Sequence, residues 1–328
     1  MITALAGGVG AARFLAGLID VVDPADVTAV VNTGDDVELH GLAISPDLDT
    51  VTYTLAGAIN TELGWGLEGE TWAAMGALAR YERNAPPRST AGATWFGLGD
   101  KDVATHLYRT RRLDEGAPLS AVTGEIAEAW GLRLRLLPMS DDRLQTMVTV
   151  REDGRLTEIG FQDYFVGRRH SIPVASLRFA GAGGAQPAPG VLEAIGEADL
   201  VVICPSNPLV SIGPIRVVPG IEAALVARRQ QVVAVSPIVA GAALKGPADR
   251  MLTELGHDAS VIGVARLYAP IAATLIIDEA DAELAGAVEA EGLACVVAPT
   301  IMAGRAEAAT LAGHVLASGG MASAQASL

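Results

Sequence analysis

The stretch ITALAGGVGAARF, residues 2–14, carries the strongest indication of how this chain folds. Its first residues are apolar and β-strand-like, and glycines 7, 8 and 10 follow before a helical pattern from about Ala11 to Ile19. A strand, a glycine turn and a helix make up the first unit of a doubly wound α/β fold. Glycines at such a turn let the backbone approach a phosphate, at which the first amides of the helix point.

The glycine turn alone leaves two interpretations open. Gly8 and Gly10 fit the fingerprint G-x-G-x-x-G, but Arg13 stands where the third glycine or an alanine belongs. The sequence GxxxxGK[ST] of the P-loop occurs nowhere in the chain. A purely structural turn is therefore the alternative to a phosphate site that contains Gly8, Gly10 and Arg13.

Working outward from this unit, apolar strands and amphipathic helices alternate at both ends of the chain. This alternation predicts a Rossmann-like, doubly wound α/β fold with a mostly parallel sheet. Residues 66–130 look mostly helical, and residues 133–180 look β-rich with hairpins. The predicted division is a nucleotide-binding core of residues 1–65 and 185–320, an insertion of residues 66–184 that forms an acceptor-site lid and a β-rich part, and a flexible tail of residues 321–328.

Composition narrows the class of protein. The formal net charge is −15, which disfavours nucleic acid and anionic membrane surfaces as partners. The chain starts without a basic leader, and no apolar run is long enough to span a membrane without interruption, so a soluble, cytoplasmic protein is expected. Cys204 and Cys295 lie in apolar runs and are expected to be reduced, buried thiols.

Five carboxylates crowd the stretch NTGDDVELHGLAISPDLDTV, residues 32–51, which contains no lysine or arginine. Helix capping and solvation are an equal alternative for Asp36, Glu38 and Asp47. They do not easily account for both Asp35 and Asp49 at the carboxyl edge of the sheet. Oxygen ligands of this kind suit Mg²⁺, so Asp35, Asp36 and Asp49 are the predicted metal ligands.

Two polar segments of the predicted insertion can be interpreted in more than one way. The loop NAPPRSTAGATWFGLGDKD, residues 84–102, offers Arg88 for an anion and Trp95 for stacking, or it is a plain surface loop. The segment HLYRTRR contains His106 and Arg109, and its spacing favours a solvated helix face over a phosphate site. The five histidines show no ligand spacing, and no metal is assigned to them.

The most distinctive stretch is DLVVICPSNPLVSIGPI, residues 199–215. Two prolines bracket Ser206 and Asn207 after an apolar strand, which fixes the loop and exposes hydroxyl, amide and backbone donors. Such a loop can bind a nucleotide base or a diphosphate. The loop after the next strand contributes Lys245 as a counter-charge for phosphate.

Together these stretches resemble one family. The resemblance runs from Met1 to about His314 and rests on the motifs GGVGAAR, NTGDD, SPDLDTV, LGDKD, HLYRT, MSDD, FQDYFV, CPSNPLVSIGPI and SPIVAGAALKGPAD. They look like the 2-phospho-L-lactate transferase family (CofD, or FbiA in actinobacteria) of deazaflavin coenzyme F-420 biosynthesis. The resemblance implies an Mg²⁺-dependent phosphotransferase with a Rossmann-like core, usually a homodimer.

The implied reaction joins two small molecules. The acceptor is the deazaflavin Fo, and the donor is enolpyruvyl-diphospho-guanosine or its lactyl counterpart. The ribityl hydroxyl of Fo attacks the phosphate that carries the enolpyruvyl or lactyl group, and GMP leaves. The products are dehydro-F-420-0 or F-420-0, and the Ala- and Arg-rich composition favours the enolpyruvyl donor.

The resemblance also implies roles for particular residues. By position, Asp49 and Arg88 match residues that contact Fo in the family, and Gly8, Gly10, Ser206 and Asn207 match its guanosine diphosphate pocket. Asp49 is also the candidate general base. Archaeal members typically carry a lysine in the glycine loop, for which Arg13 is the candidate replacement here.

Two other classes of protein share part of this pattern. A nucleotide-sugar-binding metabolic regulator with the same core would need the glycine and PSNP loops, but an acceptor site at SPDLDT and PPRST would be superfluous. A nicotinamide-dependent oxidoreductase is disfavoured because the fingerprint is incomplete and a crowded NTGDD replaces the single acid after the second strand.

Overall fold

The structure is a computed structural model that describes residues 1–86, 89–244 and 246–321. Arg88, Lys245 and residues 322–328 of the predicted tail lie outside the described residues. In the described part the strands are β1 (Ile2–Ala6), β2 (Val27–Val31), β3 (Val37–Leu39), β4 (Leu42–Ile44), β5 (Arg135–Pro138), β6 (Gln145–Glu152), β7 (Arg155–Gly160), β8 (Val174–Ala180), β9 (Leu200–Ile203), β10 (Val232–Val235), β11 (Ile238–Val239), β12 (Ala242–Ala243), β13 (Thr274–Ile277) and β14 (Ala294–Val297).

Helices connect and cover these strands. They are α1 (Gly8–Val21), α2 (Pro46–Leu55), α3 (Ala73–Glu82), α4 (Asp102–Asp114), α5 (Leu119–Ala129), α6 (Val191–Glu197), α7 (Ile212–Arg216), α8 (Ile221–Ala227), α9 (Ala248–Glu254), α10 (Val261–Tyr268), α11 (Ala285–Ala290) and α12 (Arg305–Ser318). Among the described residues, no helix combines the length and the apolar character that crossing a lipid bilayer requires.

Seven strands form one parallel sheet in the order β14-β13-β10-β9-β1-β2-β5. Helices cover both faces, because alternate side chains of each strand enter different cores. Leu5 packs in the core with α6 to α11, whereas Ala4 and Ala6 pack in the core with α1, α2 and α12. Burial on both faces explains why these strands are almost entirely apolar. The predicted doubly wound α/β fold is confirmed.

The order in which the chain adds strands to the sheet reverses between β1 and β9. From β1 the chain proceeds to β2 and β5 on one side, and β9 starts the half that ends at β14 on the other side. Neighbouring connections therefore leave in opposite directions, and a crevice opens beyond the carboxyl ends of these two strands. The glycine turn follows β1 and the PSNP loop follows β9, so the fold brings the two most distinctive loops of the sequence together.

The middle of the chain forms α3, α4 and α5, then the antiparallel sheet β7-β6-β8. This agrees with the predicted helical and β-rich parts. One strand differs: β5, which the pattern placed in the insertion, pairs with β2 as an edge strand of the central sheet. Its apolar run suits both locations, and only pairing with β2 distinguishes them. Val148 and Val150 of β6 pack against Val210 and Met251, which attaches the small sheet to the core.

Candidate active site

A cavity of about 620 Å³ lies at the carboxyl edge of the central sheet. This volume is in the range of small-molecule sites. The loops after β1, β2, β9, β10 and β14 supply one part of its wall, and α2, α4 and the segments 65–66, 96–97 and 161–166 supply the other. The cavity therefore has a core side, built from strand-end loops, and an insertion side, built from α4 and the segments 65–66, 96–97 and 161–166 together with Asp49 and Tyr53 of α2.

Contact between two loops shapes the core side. A side chain at Gly10 would lie 2.3 Å from the carbonyl oxygen of Pro205, so only glycine permits this approach. Gly8 has a φ of 72°, a conformation that favours glycine. The hydroxyl of Ser206 donates to the carbonyl oxygen of Gly7 at 2.9 Å. The glycine turn is thus structurally required, and it also lines the cavity.

The first turn of α1 is available to an anion. Its N-cap residue, Gly7, makes no side-chain capping hydrogen bond, and the first turn contains no acidic residue. The first amides of a 14-residue helix carry partial positive charge at this end, and that of Gly8 already donates to Asp47. Arg13 also lines the cavity, where its guanidinium lies 3.4 Å from the carbonyl oxygen of Met302.

The PSNP loop is held by its own polar side chains. Oδ1 of Asn207 accepts hydrogen bonds from the backbone of Leu209 at 2.9 Å and Val210 at 3.3 Å. Ser206 and Asn207 both line the cavity, as do Gly8, Gly10 and Arg13. The structure thus brings together all the predicted nucleotide-binding residues that it describes.

A group of three acids, Asp35, Asp36 and Asp47, lies beside the glycine turn that follows β1. Asp35 and Asp47 line the cavity, whereas Asp36 lies behind them and accepts a 2.6 Å hydrogen bond from Ser45. Burial and the charge of Asp47 raise the pKa of Asp35 well above its usual value, and burial likewise raises the pKa of Asp36. Burial raises the pKa of Asp47 to about 6, although Asn32 donates to it at 2.9 Å.

These acids lack sufficient positive charge among the described residues. Oδ1 of Asp35 and Oδ1 of Asp36 are buried and have no hydrogen-bond partner there. Buried carboxylates normally ionise only beside a cation or several donors. The donor set on the cavity wall, Asp35 with Asp47, therefore fits a hard divalent cation whose remaining ligands would be water or a bound anion.

Asp49 is in a different environment, because Arg109 of α4 binds both of its oxygens. One guanidinium nitrogen contacts Oδ1 closely, and the other donates to Oδ2 at 3.1 Å. Arg109 is 2% exposed and lies behind Asp49, off the cavity wall. Burial lowers its pKa, but the charges of Asp49 and Asp36 more than compensate, so the pKa of Arg109 is raised. The pair holds Asp49 in one orientation facing the cavity.

His106 and Asp102 extend this cluster along α4. Nδ1 of His106 lies 3.3 Å from Arg109 and 3.7 Å from Oδ2 of Asp49. Since Arg109 can only donate, Nδ1 is the acceptor in that contact, and Nε2 then carries the proton. Nε2 lies 3.4 Å from Oδ2 of Asp102 and has no well-aligned partner among the described residues.

Tyr53 completes the cluster on the side of α2. Its hydroxyl donates to Oδ1 of Asp102 at 2.5 Å. Burial and the charges of Asp49 and Asp102 raise the pKa of Tyr53 well above its usual range. Burial opposes ionisation of Asp102, but His106 and Tyr53 lower its pKa below the usual value. Tyr53, Asp102 and His106 all line the cavity, and Asp49, Asp102 and His106 have ligand atoms within 4.8 Å of one another.

The predicted solvated face at HLYRTRR is wrong for His106 and Arg109, which are 1% and 2% exposed. It holds for Arg111 and Arg112, which form surface ion pairs with Glu115 and Glu125. The spacing of Asp102, His106 and Arg109, at i, i+4 and i+7, places them on one helix face. That periodicity was a usable signal, but it does not tell a buried polar face from a solvated one.

Aromatic side chains line the insertion side. Trp95, the predicted stacking residue, is not among them: its ring packs edge-on against Phe96 at 5.7 Å. The aromatic residues on the cavity wall are Tyr53, Trp65, Phe96, Phe161 and Phe165.

The fold and this cavity define a Rossmann-like protein in which one cavity combines the N-terminal end of a helix, buried acids and an aromatic wall. The family described as 2-phospho-L-lactate transferase CofD matches residues 2–298. The chain belongs to this family of transferases, as the sequence motifs predicted.

Named relatives and solved structures agree with this assignment. The chain is 47% identical to a phosphoenolpyruvate transferase of Streptomyces griseus, with 92% of each chain covered. It is 44% identical to a phosphoenolpyruvate transferase of Mycolicibacterium smegmatis, covering 84% of this chain and 86% of the relative. The crystal structure of a UPF0052 family protein from Bacillus halodurans has the same fold, with a TM-score of 0.57 at 17% identity, over 96% of this chain and 98% of that one.

Proposed function

We propose that this protein transfers the enolpyruvyl-phosphate group from enolpyruvyl-diphospho-guanosine to the ribityl hydroxyl of Fo, releasing GMP and forming dehydro-F-420-0. The lactyl donor, which would give F-420-0, is the second substrate to test. The relatives named phosphoenolpyruvate transferase support the enolpyruvyl donor. The observation that carries the proposal is the two-sided cavity, with anion-binding loops on the core side and Asp49 on the insertion side.

The core side suits the donor. The first turn of α1 and the PSNP loop present backbone donors to a diphosphate, and Arg13 adds positive charge. Phosphoryl transfer depends mainly on positioning and on neutralising charge, so these groups serve the reaction directly. Arg88 and Lys245, outside the described residues, remain proposed contacts of Fo and phosphate.

Mg²⁺ is the proposed cofactor, and Asp35 and Asp47 are the residues that would hold it. Asp36 and Asp49, two of the predicted ligands, fit less well because Asp36 lies off the cavity wall and Arg109 already binds both oxygens of Asp49. When bound, the ion would neutralise phosphate charge. The protein's own contribution is to keep two carboxylates fixed beside the first turn of α1.

Asp49 is proposed to act on the acceptor. The ribityl hydroxyl donates a hydrogen bond to Asp49 and attacks the phosphorus that carries the enolpyruvyl group. The new P–O bond forms as the bond to GMP breaks, GMP leaves with the electron pair, and the hydroxyl proton passes to Asp49. Arg109 fixes the carboxylate for this contact, and so it is a positioning residue.

A coupled assay tests the reaction. Purified protein, Fo and each donor are mixed with and without Mg²⁺, and the products are identified by mass. We expect the phosphodiester product with Mg²⁺ only, and faster with the enolpyruvyl donor. Tight binding of the guanine nucleotide without turnover of either donor would instead support the regulator class.

A substitution tests the role of Asp49. Asp49→Asn keeps an acceptor for Arg109 but removes the base, so we expect kcat to fall about 100-fold or more with little change in donor KM. Asp114→Asn, at the exposed end of the same helix as Arg109, is the control. Near-normal kcat in Asp49→Asn would exclude Asp49 as the general base.

A further inference from the structure

The aromatic residues of this chain are concentrated in one part of the cavity. The whole sequence has only four tryptophans, five tyrosines and five phenylalanines, yet five of these residues line the cavity. Four of them, Trp65, Phe96, Phe161 and Phe165, belong to the insertion side, whereas the strand-end loops supply none. An apolar, flat wall opposite a polar anion site indicates two chemically different ligand groups in one cavity.

Trp65 stands out on this wall because its loop holds it in place while the residue stays 41% exposed. The backbone of Asn60 donates to Gly66 at 3.0 Å, and Gly64 donates to Asn60 at 2.8 Å. Oδ1 of Asn60 also accepts from the backbone of Leu63 at 3.0 Å. The loop is therefore a compact closed turn, which presents Trp65 in an ordered position.

Two neighbours fix the orientation of the Trp65 ring. Trp72 packs against it edge-on, with ring centroids 5.7 Å apart, which is a favourable aromatic geometry. Gly97 lies against both rings: a side chain there would be 3.4 Å from Trp65 and 3.5 Å from Trp72. One part of the Trp65 surface is thus supported by protein, and the exposed remainder borders the cavity.

The Trp65 segment is joined to the helix that carries the polar cluster. The carboxylate of Glu70 accepts hydrogen bonds from the backbone of Lys101 at 2.9 Å and Asp102 at 2.7 Å, at the start of α4. Asp102 belongs to the same cluster of side chains as His106 and Asp49. The aromatic wall and the proposed hydroxyl-binding group are therefore held in one arrangement.

We propose that Trp65, supported by Trp72 and Gly97, is the stacking surface for the flat heteroaromatic ring of the acceptor. This inference rests on the proposed function and names the subsite for one of its substrates. The ring lies on Trp65, and its polyol chain extends along the wall to Asp49. Trp95, whose ring packs on Phe96 off the cavity wall, has no part in this contact.

Binding of Fo to three variants tests the subsite. Fo is titrated without donor, and its fluorescence reports the dissociation constant; the KM of each substrate is then measured with both present. Alanine substitution of a stacking residue typically weakens binding of a base by about 5- to 150-fold. We expect Trp65→Ala to raise the Kd and KM for Fo within that range and to leave the donor KM unchanged. Trp65→Phe should recover most of the affinity, and Trp95→Phe should behave as wild type.

The outcomes separate this inference from the reaction itself. If wild type turns over Fo but Trp65→Ala binds Fo normally, the subsite is wrong and the reaction stands. If Trp65→Ala raises only the donor KM, the guanine ring stacks there and the inference is overturned. A changed oligomeric state by light scattering with unchanged Fo affinity would place Trp65 in a subunit contact, which also overturns it. If wild type neither binds nor converts Fo, the proposed function fails and the subsite with it.

Discussion

The two sides of the cavity are built in different ways. On the core side, the loops after β1 and β9, each a short continuous stretch of sequence, contribute glycines, backbone amides and short polar side chains. On the insertion side, long side chains from α2, α4 and the loop around Trp65 meet from distant parts of the sequence. Asp49 and Arg109, which form the central ion pair, are 60 residues apart. The comparison teaches that a site made of local backbone geometry is visible in a sequence, whereas a site made of long-range pairs is not.

The largest expected effect comes from breaking the insertion side at Arg109. Arg109→Ala leaves Asp49 buried without its partner, which typically costs about 3–5 kcal/mol. We expect a stability loss of this size by urea unfolding and a kcat reduced at least as much as in Asp49→Asn. Arg109→Lys should recover part of both.

A matched control lies three residues further along the same helix. Arg112 pairs with Glu115 and Glu125 at the surface, so Arg112→Ala should lower stability far less than Arg109→Ala and leave kcat unchanged. If Arg109→Ala and Arg112→Ala lost equal amounts of stability and kcat, the buried ion pair of Arg109 would have no special role in the site.

The core side is tested at Gly10. Gly10→Ala places a methyl group 2.3 Å from the carbonyl oxygen of Pro205, so the β1 and β9 loops must separate. We expect a loss of about 1–3 kcal/mol and a raised KM for the donor with little change for Fo. Calorimetry and the two KM values measure this.

Gly124 of α5 provides the opposite case. A side chain there meets no atom within 4 Å, so Gly124→Ala should stabilise the helix by about 0.5–1 kcal/mol. If Gly10→Ala raised the KM for Fo as much as that for the donor, the division of the cavity into two sides would fail.

A small effect is expected at the acids between the two sides. The pKa of Asp47 is raised to about 6 in the folded protein. A raised pKa means that protonation stabilises the fold, fully below the unfolded value near 3.8 and less as the pH rises through 6. Metal-free wild type should therefore lose roughly 1–1.5 kcal/mol more between pH 5 and pH 7.5 than Asp47→Asn.

Adding Mg²⁺ to the same stability measurement tests whether Asp47 binds the metal. At pH 7.5 the ion should raise the melting temperature of wild type, because it binds the ionised acids, and raise that of Asp47→Asn much less. Asp114→Asn should respond as wild type does. The same Mg²⁺ response in all three proteins would place the metal away from Asp47.

Much of the fold could be predicted because short-range patterns encode it. Buried parallel strands must be apolar on both faces, and the glycine turn after β1 follows directly from residues 7–10. The edge strand β5 was harder, since an apolar strand pairs equally well within an insertion or with β2. The candidate site was predictable on the core side, where Gly8, Gly10, Arg13, Ser206 and Asn207 meet as neighbouring strand-end loops.

The insertion side shows where prediction from sequence ended. Arg109 and Arg112 lie in one basic run, and nothing local tells which of them is buried. Trp65 and Trp95 are both aromatic residues in loops, and only one of them borders the cavity.

By itself, the sequence determined the strand–turn–helix unit, the parallel sheet and the family, because these depend on residue periodicity and on motifs read along the chain. Only the tertiary structure decided that Arg109 holds Asp49, that His106 and Asp102 join them, and that Trp65 lines the wall. Burial and ion pairing are properties of residues that the fold brings together from distant parts of the chain. Two side chains of the same type can be told apart only once the fold has placed one in the core and the other in water.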